Sequence, residues 1–384
     1  MKTYSILALA MVALLVGTST GGTYSGGTGE PNDPYQIGKV ADWQELIGAS
    51  ADWSKHFILT RDIDFGGTNL TPVAPDTDPA TNNFQGISFA GVFDGNDHVL
   101  HNAVINMPNS DYVGLFGFLD SGGQIRNLGV ENIAVTGRDG VGGLCGVNNL
   151  GTINACYATG NVTGGNYLGG LCGLNGGTIS TCYATGNVTG IVVSWHLGGL
   201  CGMNDEFCTI SYCYATGAVT GGDNSYSLGG LCGDNNLGTI SACYAMGAVT
   251  GGNDSYALGG LCGVNLWGTI SDCYATGAVT SGYNSQSLGG LCGGKSRGCT
   301  FSGCFWDIQT SNCNTSAGGE PKTTTEMKTM STFTDAGWDF VEIWGIGENQ
   351  TYPFLRTEPA GDSNHDKKVD LLDLAILASH WLEE

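Results

Sequence analysis

The C-terminal tail contains the side chains whose types and spacing point most clearly to chemistry. Positions 1, 3, 5, 9 and 12 of a twelve-residue loop are occupied by Asp362, Asn364, Asp366, Asp370 and Asp373. Oxygen ligands at these intervals, with a backbone carbonyl at position 7, form the ligand set that Ca²⁺ prefers. The sequence therefore predicts that this loop binds one Ca²⁺, with Lys368 supplying the carbonyl.

A second group of candidate residues lies in the segment FDGNDHVLHN. Asp94, Asp97, His98 and His101 are close enough in sequence to be catalytic groups or metal ligands. A turn that precedes a strand explains the same residues without any chemistry. The sequence favours the turn and leaves a catalytic or metal site as the alternative.

An internal repeat determines the secondary-structure elements in the middle of the chain. Units that begin with GGL start at Gly142, Gly169, Gly198, Gly229 and Gly259, and a last, decayed copy starts at Gly289. In the first unit Cys156, Ala158 and Val162 alternate with polar residues and Tyr157, which is the period of a half-buried strand. No helical period occurs between residues 140 and 305. The repeat predicts an all-β fold, a right-handed parallel β-helix in which each unit forms one coil.

Stacking the coils in parallel brings equivalent residues into ladders. The ladder expected inside is Ile153, Ile179, Ile210, Ile240 and Ile270. The ladder expected outside is Tyr157, Tyr183, Tyr214, Tyr244 and Tyr274. An outward tyrosine row offers aromatic surface on which sugar rings can stack. Aligned tyrosines also stabilise neighbouring strands by themselves, and this second interpretation is the more economical one.

Two cysteines recur in every unit, and an exported chain favours their oxidation. An earlier, degenerate coil has Phe116 and Leu128 in place of the two cysteines, so both positions belong to the core and both are lost together. This paired loss favours a disulfide inside each coil. The predicted pairs are Cys145–Cys156, Cys172–Cys182, Cys201–Cys213, Cys232–Cys243, Cys262–Cys273 and Cys292–Cys304. The alternative is an inward ladder of reduced cysteines acting as small apolar residues.

The remaining segments give the domain organisation. Residues 1–20 have the charged start, apolar stretch and small-residue end of a signal peptide. Residues 21–110 are expected to form an N-terminal cap with a short helix from Val40 to Ile47, followed by the first coils, and residues 111–306 the repeats. Residues 307–357, with aromatic segments beginning at Gly337 and Tyr352, are expected to cap the C-terminal end. Residues 358–384 are expected to form the calcium loop and a helix.

Composition limits the partners. The formal net charge is −22, and no Lys or Arg occurs between Arg138 and Lys295. Nucleic acid and anionic membranes both require clustered cations, so neither is an expected partner. No later segment is long and apolar enough to span a membrane.

The acids within the repeats are interpreted as solvated turn residues: Asp139, Asp205, Glu206, Asp223, Asp234, Asp254 and Asp272.

The GGLCG-containing units resemble the GLUG motif, a repeat of bacterial surface and adhesin-like proteins that also accompanies some IgA-cleaving metallopeptidases. The resemblance implies an exported β-helical region and carries over no catalytic residue, because the zinc motif HExxH is absent from this sequence. The calcium loop and the amphipathic helix after it resemble one half of a type I dockerin. That resemblance implies docking to a cohesin-like or cell-envelope protein. Lys367 at the usual glycine position and the single copy are departures from the dockerin pattern.

The function expected from these features is that of a non-catalytic, extracellular or cell-surface adhesin or structural protein of a bacterium. The alternative is a carbohydrate-active β-helix, either a polysaccharide lyase or a glycan-binding module.

Overall fold

The computed structural model describes residues 22–81, 83–191 and 193–356. Within these residues the chain winds into a parallel β-solenoid, which confirms the predicted fold class. Three parallel sheets, here called sheets 1, 2 and 3, run along its length. The predicted signal peptide and the calcium loop lie outside the described residues.

Sheet 1 has fifteen strands and extends from the N-terminal cap to the last coil. Its first strands are Tyr35–Ile37, His56–Leu59, Val92–Asp94, Phe116–Leu119 and Gln124–Arg126. The repeats then contribute Cys145–Asn154, Cys172–Ser180, Cys201–Asn204, Thr209–Ser211, Cys232–Asn236, Thr239–Ser241, Cys262–Leu266, Thr269–Ser271, Cys292–Lys295 and Thr300–Ser302. Equivalent residues pair in register, for example Cys145 with Cys172 and Ile153 with Ile179.

Sheet 2 also has fifteen strands, and sheet 3 has six. The strands of sheet 2 are Ile63–Asp64, Val99–His101, Val104–Asn106, Gly129–Thr136, Tyr157–Gly164, Tyr183–Ala184, Val188–Gly190, Tyr214–Ala215, Val219–Thr220, Tyr244–Ala245, Val249–Gly251, Tyr274–Ala275, Val279–Ser281, Phe305–Asp307 and Glu320–Lys322. Those of sheet 3 are Asp139–Gly142, Asn166–Gly169, Trp195–Gly198, Tyr226–Gly229, Tyr256–Gly259 and Gln286–Gly289. A residue with positive φ turns each corner between sheets 1 and 2, as Ala155 (φ 50°) and Tyr212 (φ 54°) do.

The core between the sheets is a set of ladders. The predicted isoleucine ladder from Ile153 to Ile270 is fully buried, as are leucines of the GGL segments such as Leu200 and Leu231. A ladder of buried asparagines was not anticipated from the sequence: Asn148, Asn175, Asn204, Asn235 and Asn265. Each Nδ2 donates to the Oδ1 of the next asparagine over 2.7–2.8 Å. This chain of hydrogen bonds ties successive coils together, and among these five amides only the Oδ1 of Asn148, at the start of the ladder, is buried without a partner.

The glycines of the GGL segment permit close contact between coils. A Cβ on Gly199 would lie 2.2 Å from the carbonyl oxygen of Gly230, and a Cβ on Gly230 would lie 2.1 Å from that of Gly260. Backbone cannot move away without shifting a whole coil, so any larger residue is excluded there. The high glycine content is therefore largely a requirement of coil stacking.

The N-terminal end of the core is covered by a helix over Val40–Gly48, where the sequence predicts one, and a 3-10 turn over Ser50–Asp52. Trp43 is fully buried, with its ring edge-on to Phe65, Phe93 and Phe116 at centroid distances of 5.5–6.0 Å. The helix thus places its apolar face over the first coils.

The C-terminal end differs from the expectation. The core is closed by buried Trp306 and by a loop in which the Ala317 N–H donates to the carbonyl of Cys292 over 2.9 Å. The aromatic segments predicted to cap this end instead pack on the outer face of sheet 2. That segment contains a 3-10 turn over Glu326–Lys328, a helix over Met330–Thr334 and an antiparallel pair of strands, Trp344–Gly345 and Phe354–Leu355.

Candidate functional site

The predicted tyrosine ladder on sheet 2 is a continuous stack of rings, here called the stacked row. Its members are Tyr157, Tyr183, Tyr214, Tyr244 and Tyr274. Neighbouring ring centroids are 4.8–5.1 Å apart, and the planes differ by 8° at most. Each internal ring therefore has both of its faces covered by its neighbours and presents only its edge and hydroxyl outward.

The two ends of the stacked row are covered as well. The ring of Tyr157 lies over Gly129, where a Cβ would approach it to 2.6 Å. At the other end Tyr274 is fully buried, its hydroxyl donates to the carbonyl of Pro353 over 2.6 Å, and Tyr352 stacks beside it. Trp344 contacts the same ring. The geometry favours strand stabilisation over sugar stacking, because no ring face of this row is left free.

Sheet 3 carries a second aromatic row, here called the open row, which the sequence interpretation missed. Trp195, Tyr226 and Tyr256 stand in register on three successive coils. Tyr226 and Tyr256 stack at 5.4 Å, whereas in the described part of the chain no aromatic ring stacks on Trp195. Trp195 is 50% and Tyr256 41% exposed. The signal was present in the sequence, since these residues follow the variable loops at equivalent positions.

A cleft of about 470 Å³ lies along the open row. Besides the aromatic residues, its lining includes His196, Ser225, Asn224 and Asp254. These last two residues have left-handed backbones at equivalent places in successive loops. The loops are joined by a hydrogen bond from the Asn224 N–H to the carbonyl of Asn253 over 2.7 Å. The cleft thus combines aromatic surface with amide and carboxylate groups on an ordered backbone.

Beneath the open row lies a buried pair of titratable side chains. His196 Nδ1 is 3.3 Å from Asp234 Oδ2, and their side chains are 13% and 5% exposed. Burial raises the pKa of Asp234 to about 7, with a smaller contribution from Cys232 and Asp205, and burial lowers the pKa of His196 to about 4. Both groups are therefore held toward their neutral forms. The interpretation of Asp234 as a solvated turn residue is wrong, because it occupies a position that is Met203 in one neighbouring coil and Val264 in the other.

The N-terminal candidates form separate pairs. Arg126 Nε donates to Asp94 Oδ2 over 2.9 Å, His98 Nδ1 is 3.1 Å from Asp62, and His101 Nδ1 is 3.4 Å from Glu131. Asn96 and Asp97 have left-handed backbones, as in the turn that the sequence favours. Over residues 22–81, 83–191 and 193–356, no three His, Cys, Asp or Glu side chains are grouped so that they could share a metal ion.

The recurring cysteines line the core as two ladders along the coils. Cys145 and Cys172 are register partners on sheet 1, and the backbone N–H of Cys156 donates to the sulfur of Cys182. All fifteen cysteines are free thiols in the structure, so it contains none of the six intracoil bridges. Burial raises the pKa of Cys145 and Cys156, which keeps them protonated and unreactive. The intracoil bridges stay a prediction for the exported protein, to be tested by peptide mapping without reduction.

The class of protein that these features define is a repeat-built parallel β-solenoid, and comparison with known proteins identifies the repeat. Residues 164–189, 193–220 and 254–280 match the GLUG motif. The chain is 35% identical over 159 residues to halomucin of Haloquadratum walsbyi, and 31% identical over 141 residues to a protein of Evansella cellulosilytica provisionally named a Gly-rich membrane protein. These matches cover 39% and 36% of this chain but only 2% and 16% of the two relatives.

Solved structures share the fold. A candidate immunoglobulin A1 protease from Bacteroides ovatus superposes with a TM-score of 0.59 at 23% identity, covering 87% of this chain and 95% of the other. A structure described as IgA1 protease gives a TM-score of 0.54 at 14% identity, over 79% of this chain and 24% of the other. At these identities the likeness concerns the fold alone. Among the described residues, no helix has the length and apolar character needed to cross a membrane.

Proposed function

We propose that the protein is a non-catalytic, extracellular or cell-surface solenoid with an adhesin-like role, attached through a calcium-binding tail. The observation that carries this proposal is the unbroken stacking of the repeats, whose like residues pair in register from Cys145 to Cys292 along sheet 1. Such stacking makes a rigid, elongated body whose surface grows with each added coil. The names of the relatives, halomucin and a Gly-rich membrane protein, support a place at or outside the cell surface.

The electrostatics of the coils agree with this role. Between Arg138 and Lys295 the sequence has no Lys or Arg, so the repeats present a neutral to acidic surface. That surface repels anionic polymers and membranes and leaves neutral or cationic partners. The stacked row adds stability to the body without exposing ring faces.

The experiment that tests the surface role is fractionation of a bacterial host that expresses the full-length chain. We expect the protein in the cell-surface or medium fraction, accessible to added protease in intact cells. Retention of the folded protein in the cytoplasm of such a host would contradict the proposal.

The non-catalytic part of the proposal has its own test. Purified protein is incubated with a panel of polysaccharides, and reducing sugars and unsaturated products are measured. We expect no turnover. Turnover that is lost in the Asp97→Ala variant, but kept in a control such as Asp33→Ala, an exposed acid of the N-terminal cap, would instead establish the carbohydrate-active alternative.

The attachment tail is proposed from its sequence. Five oxygen-bearing side chains at loop spacing and the carbonyl of Lys368 supply enough hard ligands for one Ca²⁺. Because Lys367 replaces glycine and Asp373 is shorter than the usual glutamate, we expect weak binding, with a Kd of about 10⁻⁴ M. Such affinity suffices outside a cell, where calcium is plentiful.

Calorimetric titration of the full-length protein with CaCl₂ tests this tail. We expect one binding event, abolished in the variant that combines Asp362→Ala with Asp366→Ala, while the thermal melting of the solenoid is unchanged. A wild-type protein that gives no calcium response by calorimetry or circular dichroism would reduce the tail to an ordinary C-terminal helix.

A further inference from the structure

The open row on sheet 3 forms one wall of an accessible cleft. Its volume of about 470 Å³ falls within the range of small-molecule sites. Trp195 is half exposed and has no ring stacked on it, so its indole is available to a ligand. Exposed aromatic side chains that are grouped in one patch commonly mark a ligand or partner site.

The chemistry of the lining selects among possible ligands. A pyranose has an apolar face of C–H groups, which packs on an aromatic ring, and a rim of hydroxyls, which need hydrogen-bond partners. Asn224 and Asp254 border the open row and offer an amide and a carboxylate for that rim. Tyr226 and Tyr256 stack on each other, 5° apart, so their facing surfaces are covered and Trp195 is the ring of this row whose face is available. Such a row does not form the enclosing cage that a quaternary ammonium group requires.

The charge of the residues around the cleft further restricts the class of ligand. No Lys or Arg lies between Arg138 and Lys295, so the coils that form the cleft have no cation for a sulfate, phosphate or uronate. Asp254 in the lining and Asp223 in the neighbouring loop, whose Oδ1 accepts from the Asn253 N–H, add negative charge. An anionic glycan would be repelled, whereas the negative charge would not weaken the binding of a neutral glycan.

We infer that the open row, Trp195, Tyr226 and Tyr256 with Asn224 and Asp254, is a binding site for a neutral glycan. The site deepens the proposed adhesin-like function and rests on it for the class of partner. The repeat of the row on successive coils, with about 4.8 Å between strands, suits an extended oligosaccharide better than a single sugar.

The test uses the full-length protein and a panel of neutral oligosaccharides, namely β-glucan, mannan, galactan and xylan hexamers, titrated by calorimetry. We expect at least one to bind, with affinity reduced about tenfold or more by Trp195→Ala, since stacking on one ring contributes that much. Trp267→Ala is the matched control, because Trp267 is 58% exposed on a turn of sheet 1, outside the cleft. The control should bind as the wild type does.

Three results would overturn the inference: no binding of any neutral hexamer by folded wild-type protein, binding that Trp195→Ala leaves intact, or binding of phosphocholine or sulfated glycans in place of neutral ones. Circular dichroism of each variant verifies that it is folded. Surface exposure of the protein without glycan binding would refute this site alone, and glycan binding by a protein that remains in the cytoplasm would refute the proposed surface role alone.

Discussion

Sheets 2 and 3 each carry aromatic side chains on successive coils, yet the two rows differ in what their ring faces contact. In the stacked row every ring lies against another ring, Gly129 or the C-terminal segment. In the open row only Tyr226 and Tyr256 stack, and Trp195 lies free beside a cleft. Where every coil carries the same tyrosine, as in the stacked row, the ring faces hold neighbouring coils together. Where the aromatic residue changes from coil to coil, as in the open row, a ring face is left available to a ligand. Aromatic content by itself does not distinguish these two uses.

The largest expected effect comes from breaking the stacked row at its covered end. Tyr274→Ala removes a fully buried ring that contacts Tyr244, Trp338 and Trp344, together with the hydrogen bond to Pro353. We expect a loss of about 3–5 kcal/mol of stability, as for other buried aromatics. Urea denaturation followed by tryptophan fluorescence measures it. A loss below about 1 kcal/mol would show that the C-terminal segment does not depend on this ring.

The next effect concerns the buried carboxyl beneath the open row. The pKa of Asp234 is about 7 when folded and near 3.8 when unfolded, so its stability contribution is fully present below about pH 4 and is lost as pH rises toward 7. The variant Asp234→Val carries the residue that the next coil has at this position, and it should not lose stability in this pH range. We expect the variant's advantage in free energy of unfolding to grow between pH 4 and pH 7, reaching about 4 kcal/mol at most.

The difference between variant and wild type is the quantity to follow, because His196 acts in the opposite direction. Its pKa of about 4 means that its contribution is present above its usual pKa of 6.5 and is lost as pH falls toward 4. Cys232 and Asp205 are the other titratable groups that influence Asp234. A variant that becomes less stable than the wild type at pH 7 would mean that Asp234 and His196 form a stabilising ion pair.

A smaller effect is expected from extending the open row. Gln286 is the register partner of Tyr256 on the next coil, and a tyrosine there would continue the stack. Gln286→Tyr should therefore raise the stability by about 0.5–1 kcal/mol. The melting temperatures of Gln286→Tyr and Gln286→Ala are compared, because both variants lose the amide and only the first gains a stacked ring. Equal melting temperatures in the two variants would show that the open row cannot be converted into a stacked one.

The sequence predicts the solenoid well because each structural position recurs in successive repeats, so its buried or exposed character can be read several times. The Ile153 ladder and the register of Cys145 with Cys172 follow from that repetition. The N-terminal helix is predicted equally well, since its apolar face at Trp43 and Leu46 has helical spacing.

The sites were predicted less well, since they depend on departures from the repeat. Asp234 resembles any other acid in the sequence, and only its alignment with Met203 and Val264 shows that it occupies a position that is apolar in both neighbouring coils. Trp195 follows a loop of variable length, which hides its register with Tyr226. The position of the C-terminal aromatic segment depends on long-range packing against Tyr274, for which local periodicity gives no signal.

The most direct test of this account is a comparison of Trp195→Ala with Tyr183→Ala, each measured for its urea midpoint and for its affinity for the best neutral oligosaccharide. Tyr183 has ring neighbours on both faces, so its loss should lower stability by about 1 kcal/mol and leave affinity unchanged. Trp195→Ala should change stability by less than about 0.5 kcal/mol and reduce affinity about tenfold. If Tyr183→Ala abolished binding while Trp195→Ala only lowered the urea midpoint, the roles assigned to the two rows would be wrong.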